Sequence, residues 1–257
     1  MIVDTNVSLS RWPFRRLPAD EPAKLVSTLR NRGVEQAWAG SFDGILHKDI
    51  AGVNSRLAAD CRKYGGGMLL PFGSVNPKLP DWREDLRRCH EQHHMPGIRL
   101  HPNYHGYDLK DPVFAELLEA AASRRLIVQL AWCMEDERTQ HPLVRVPNVD
   151  LSPLPEVLRR LPALRVQILN WKTARGDEAR RLASAGQVYS DFAMTENPGG
   201  IARLLKTVPL ERVLFGSNFP LFYLESALLK VREAGLTSAE EQAVSRLNAQ
   251  RLLGQAS

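Results

Sequence analysis

Cysteine is scarce: Cys61, Cys89 and Cys133 are the only three in 257 residues. They are too scattered for a paired-cysteine metal motif and too few for a disulfide framework, so a reducing cytoplasm is the expected location. Long apolar runs are also missing. None approaches the ~18 residues that a membrane span requires, so no membrane partner is expected. No basic run carries interleaved aromatics, and no nucleic-acid partner is expected. The net charge of +5, from 34 Lys and Arg against 29 Asp and Glu, reads as a solvated surface. The opening Met1–Asn6 lacks the layout of a secretion signal and leads directly into a strand. No glycine-rich turn follows that strand, which disfavours a dinucleotide-binding sheet.

What remains is an ordinary globular composition, 44% hydrophobic and 25% charged. Short apolar runs alternate with helical patterns throughout. Strands are predicted at 2–6, 34–40, 68–75, 98–101, 126–131, 164–170, 188–192 and 212–217. The clearest helix, 112–124, places Phe114, Leu117, Leu118 and Ala121 on one stripe. A last helix starts near Thr237, where Thr237 with Glu240 or Ser238 with Glu241 offers a capping box, and Gly254 is its stop. Eight strand–helix pairs in about 250 residues imply an α/β fold, a single (β/α)8 TIM barrel spanning 1–257. Links after strands one, two and five are long (7–18, 41–48 and 132–152), and in a barrel these open on the C-terminal face.

Polar groups gather at the predicted strand ends. Asp4, Asn6 and Ser8 share a side by strand alternation, as do Arg99 and His101. Gln129, Asn170, Lys172, Asp191 and Asn218 end other strands. A buried Arg99 needs a partner, and Asp4 across the barrel is the candidate. His101 and His105 carry imidazoles suited to acid–base work near neutral pH. The fifth loop holds Glu135, Asp136, Arg138 and His141; an acid with His141 could form an acid–base pair, and Arg138 could grip a carboxylate. Trp12, among Arg11, Arg15 and Arg16, could close over an anionic or sugar-like ligand or pack on the rim. His90, His93 and His94 fall at a helix end away from the mouth and read as solvated, and Cys133 reads as inert.

Several segments carry a family resemblance: "MIVDTNVS", "GIRLHPNYHGYDLKDP", "LRVQILNWK", "VYSDF", "ERVLFGSNFP" and the closing "SAEEQAVSRLNAQRLLG". Together they resemble the amidohydrolase superfamily, in its amidohydrolase-2 branch, over essentially the whole chain. "ERVLFGSNFP" is the most specific of them. The resemblance implies a barrel with its site at the mouth, and normally a divalent metal such as zinc. Its ligands would be two histidines on strand one, one each on strands five and six, and an aspartate on strand eight. The matching positions here are Asn6, Ser8, Ala131, Asn170 and Asn218, none of them a good zinc donor. No metal cofactor is therefore expected through that set; a different set (His101, His141, Asp191 and Glu135) is the alternative route to one.

These readings combine into an expected function. It is a hydrolase of a small polar or anionic lactone, ester or amide. His101, Glu135, Asp136, His141 and Asp191 are the catalytic candidates. Asn6, Ser8, Trp12, His105, Arg138, Asn170, Lys172 and Asn218 are the substrate-binding candidates. The alternatives are a catalytically inactive barrel that binds a ligand or partner, and a decarboxylase-like relative.

Overall fold

The computed structural model describes residues 1–172, 176–196 and 198–254. Eight strands run β1 (Ile2–Leu9), β2 (Val34–Ser41), β3 (Leu69–Ser74), β4 (Gly97–Leu100), β5 (Ile127–Ala131), β6 (Arg165–Leu169), β7 (Gln187–Asp191) and β8 (Val213–Leu214). They pair in sequence order, and every pair is parallel. The ring closes where the Thr5 N–H donates to the Phe215 carbonyl at 2.9 Å and the Ser8 N–H to the Phe219 carbonyl at 3.0 Å. Helices cover the outside, as parallel crossovers require. This is a (β/α)8 barrel. Among the described residues no helix is long and apolar enough to cross a membrane.

Local chemistry explains the elements. The helix Pro112–Ser123 starts on Asp111, whose carboxylate accepts from the Val113 N–H, with proline at the first helical position. Its Phe114, Leu117, Leu118 and Ala121 are buried against the sheet. The capping box forms between Thr237 and Glu240 rather than one residue later, and Gly254 ends the last helix at φ 82°. Two strands differ from expectation. β1 continues to Leu9 through a register shift between Asp4 and Val7. β8 shortens to two residues, because Phe215 onward pairs with β1 and with the Val244 carbonyl instead.

Three layers fill the barrel. At the bottom Trp38 stacks on Phe72 with 5.0 Å between ring centroids, packed with Val3, Ile127, Leu214 and the last helix through Leu252. The middle layer is polar. Arg99 Nε donates to Gln129 Oε1 at 2.9 Å, and its terminal nitrogens reach the Val7 carbonyl, the Ser8 hydroxyl and the Trp38 carbonyl. The Gln129 amide donates to the Thr5 carbonyl and to Gln167 Oε1, and the Gln167 amide to the Thr5 hydroxyl. The expected Arg99–Asp4 ion pair does not form. Asp4 accepts instead from the Ser217 hydroxyl at 2.5 Å and from the N–H groups of Ser217 and Asn6, both at 3.1 Å. The β1 irregularity also breaks strict alternation, so Thr5 joins the interior although Asp4, Asn6 and Ser8 were expected to share that side alone. The third layer is the roof of the mouth.

Candidate active site at the barrel mouth

β1, β6 and β7 bring three polar side chains to one point. The Asn6 amide donates to Asn170 Oδ1 at 2.8 Å and to Asp191 Oδ2 at 2.9 Å. Asp191 Oδ1 also accepts from the N–H groups of Asn170 and Ala193, both at 3.1 Å. Asn170 extends the network by donating its amide to the Cys133 carbonyl at 2.8 Å. Asn218 donates to the next carbonyl along that loop, Met134, at 2.8 Å, while its Oδ1 has no partner among the described residues. Asn170 and Asn218 both sit at φ 57°, a left-handed backbone that asparagine tolerates better than most residues. Ser8 turns to Arg99, away from this hub.

Burial sets the electrostatics. It pushes the Asp191 carboxyl up to about 7, against the N–H groups of Ala193 and Asn170 and the Asn6 amide, which favour the charged form. It pushes Asp4 up to about 6, against its Ser217 and Asn6 donors. The Arg99 guanidinium is brought down to about 10 by the same cause, and the carboxylates of Asp191 and Asp4 pull it back up.

His101 is fully buried and lines a small chamber of about 10 Å³ with Tyr104, Trp132, Cys133 and Met134. Among the described residues its Nδ1 has no partner. Burial, then the neighbouring His105 and Arg99, hold its pKa well below the usual histidine value, so the ring is neutral at physiological pH. His105 packs edge-on against it, 5.8 Å between centroids, and binds the Gly44 carbonyl through Nε2 at 2.9 Å. Burial lowers the His105 pKa as well. Burial also pushes the Cys133 thiol up to about 12, consistent with an unreactive group.

The roof is apolar: Trp12, Phe42, Ile45, Ala131, Met134 and Leu221 pack together. Trp12 is a packing residue of this roof, with edge contacts to Phe14 and Phe42, and its Nε1 has no protein partner. The fifth loop divides its candidates. Glu135 is buried and paired with Arg15, and it accepts from the Thr139 hydroxyl at 3.3 Å. Asp136 caps the turn Glu137–Thr139, and three nitrogens of Arg138 hold its carboxyl down to about 2. Arg138 lies on the surface, where it also meets Glu196 at 3.4 Å. Lys172 meets the same Glu196 at 3.3 Å. His141 is exposed and stacks on Phe14, and among the described residues neither Glu135 nor Asp136 bonds to it.

The donors at the mouth do not fit a divalent cation. Asn6 and Asn170 are spent on each other and on Asp191, Ser8 on Arg99, and Ala131 belongs to the roof. The alternative set does not converge either: no three His, Cys, Asp or Glu side chains group as metal ligands among the described residues. Sequence reasoning missed Gln167, Ser217 and the roof residues Phe42, Met134 and Leu221. A signal for Gln167 existed, since Arg99, Gln129 and Gln167 fall at one register across β4, β5 and β6.

Comparison with known proteins bears on the family. A family model described as amidohydrolase matches residues 13–255. No curated protein matches the chain. Among solved structures, 5-carboxyvanillate decarboxylase from Sphingomonas paucimobilis superposes with TM-score 0.79 at 12% identity, covering 98% of each chain. 2,6-Dihydroxybenzoate decarboxylase from Rhizobium gives 0.72 at 12% identity, again over 98% of each chain. Dihydroxybenzoic acid decarboxylase from Polaromonas sp. JS666, with bound manganese and 2-nitroresorcinol, gives 0.77 at 11% identity over 98% of this chain and 96% of that one. At such identities the likeness is one of fold. The family model, spanning nearly the whole sequence, makes this chain a member of the amidohydrolase family.

Proposed function

We propose that this protein is a decarboxylase-like enzyme acting on a small carboxylic acid without a divalent metal. The observation that carries the reading is the neutral His101 imidazole, with an unpartnered Nδ1, lining a roofed chamber whose Cys133 is joined to Asp191 through Asn170. Hydrolysis of a lactone, ester or amide, the activity expected from the sequence, needs an activated water. Among the described residues the mouth groups no donor set for a metal to supply one, and its roof is apolar. Loss of CO2 asks for less. A carboxylate moved from water into a dry site loses hydration that its charge-dispersed transition state needs less. The C–C bond breaks, its electron pair stays on the substrate carbon, and a proton replaces the departing CO2. Asp191, with its carboxyl near 7, is the proton source; His101 hydrogen-bonds the substrate. Three fold relatives being decarboxylases supports this choice.

The test is CO2 release from a panel of aromatic and unsaturated acids, using protein treated with chelator. Release should survive chelation and fall about 10²–10⁴-fold in His101→Ala and Asp191→Asn, the usual range for acid–base groups. Release that requires a divalent ion, or turnover of esters alone, would sink the reading. A second reading, a barrel that binds a ligand without turning it over, draws on the small chamber and on hub amides bonded to each other. It predicts acids that raise Tm and yield no product.

A further inference from the structure

A chamber of about 10 Å³ has room for roughly one water. Yet one of its lining residues, His101, carries a buried Nδ1 with no partner among the described residues. A buried polar atom without a partner is costly, and in a site residue it is capacity held for a ligand. One wall of the chamber is a single stretch of chain, contributed by Gln140, Val146 and Pro147.

That stretch is a self-braced body. The Gln140 side chain bonds the Val146 N–H and carbonyl, both at 3.1 Å; Val144 N–H reaches the His141 carbonyl; Asp136 caps the turn Glu137–Thr139. Its base is pinned where the Val149 N–H donates to the Trp132 carbonyl at 2.9 Å. Compact loops with joined ends of this kind are packed by their own side chains and are frequently functional. Its ties to the barrel are few. Arg15 pairs with buried Glu135, Phe14 stacks on His141, Asn103 donates to the Pro147 carbonyl, and Arg138 meets Glu196.

We propose that residues 135–147 form a lid over the chamber, latched shut by Arg15 and Phe14 of the first loop. Swinging it away opens the wall of Gln140, Val146 and Pro147 and admits a small polar ligand to His101. The inference rests on the chamber being a ligand site, and it holds whether or not the ligand loses CO2.

Cys133 reports the motion without any assay of activity. Cys133 lines the chamber and its thiol donates to the Asn170 carbonyl at 3.5 Å, whereas Cys61 and Cys89 are buried in the core between sheet and helices. Alkylation of the native protein by iodoacetamide, read cysteine by cysteine by mass spectrometry, gives the three rates. In Arg15→Met, Cys133 should react about tenfold faster, because the closed state is then short of one charge-assisted hydrogen bond. Phe14→Ala should act in the same direction, with Cys61 and Cys89 unchanged in both. Cys133 rates equal to wild type in both variants, or all three cysteines rising in step, would overturn the lid.

Discussion

The two polar layers of this barrel lie one above the other and treat their hydrogen bonds differently. In the lower one, Arg99, Gln129, Gln167 and Thr5 bond to each other and to backbone carbonyls around the ring. In the upper one, Asn6, Asn170 and Asp191 are joined, while His101 Nδ1, Asn218 Oδ1 and Trp12 Nε1 have no partner among the described residues. Both layers are buried, so solvent exposure does not explain the contrast. Leaving a buried donor or acceptor unpaired costs about 1–3 kcal/mol. The lower layer avoids that cost and ties β1, β2, β4, β5 and β6 together. The upper layer accepts it and keeps hydrogen-bonding capacity for a ligand.

The largest expected effect lies in the lower layer. Arg99→Met keeps a similar stem but removes the donors to Gln129, Ser8 and the carbonyls of Val7 and Trp38. We expect a loss of about 3–5 kcal/mol, the range for uncoupling a buried charged network. Urea unfolding monitored by far-UV circular dichroism measures it. A loss under about 1 kcal/mol, no more than one ordinary hydrogen bond, would mean that the interior polar ring is not what holds the strands, and the contrast between layers would fail.

The architecture was legible because it repeats. Each strand and helix shows itself by its period, and eight pairs admit one closed solution. The hub residues Asn6, Asn170 and Asp191 were legible too, because strand ends meet at a barrel mouth. Partner choice was not. Strand alternation aims Asp4 at a buried arginine, yet it takes Ser217, since an irregularity in β1 that no pattern reveals rotates its neighbours. The fifth loop could be recognised as long but not resolved into its parts. Glu135 goes inward to Arg15 and Arg138 goes outward to Glu196, although they are close neighbours along the chain. Loop conformation is decided by contacts distant in sequence, which composition does not encode.

The next effect separates the layers by pH. Burial raises Asp191 to about 7 and Asp4 to about 6, above the ordinary aspartate value of 3.8 that each has in an unfolded chain. Between those limits the folded protein binds more protons than the unfolded one, so these groups lower stability as pH rises from about 4 to about 7. Above that window their effect is constant. Asp191→Asn removes its share of the slope. The variant should therefore gain stability relative to wild type from about pH 4 to about pH 8, whatever its offset at the acid end. Paired Tm curves across that range test it. Parallel curves would show that Asp191 is ionised throughout and would remove it as a proton source.

The smallest effect is the most discriminating. Tyr107 is buried next to His105 and Phe114, and its hydroxyl has no protein partner. Tyr107→Phe keeps the ring contacts and deletes only that hydroxyl. In the lower layer the matching deletion would strand a neighbour; here none depends on the deleted group. Stability should stay level or rise by up to about 1 kcal/mol, the release of an unpaired buried polar atom. Calorimetric Tm with matched wild-type scans resolves a change of that size. A clear loss would show that the hydroxyl is satisfied in solution, and then the polar atoms around the mouth would follow the same rule as those below them.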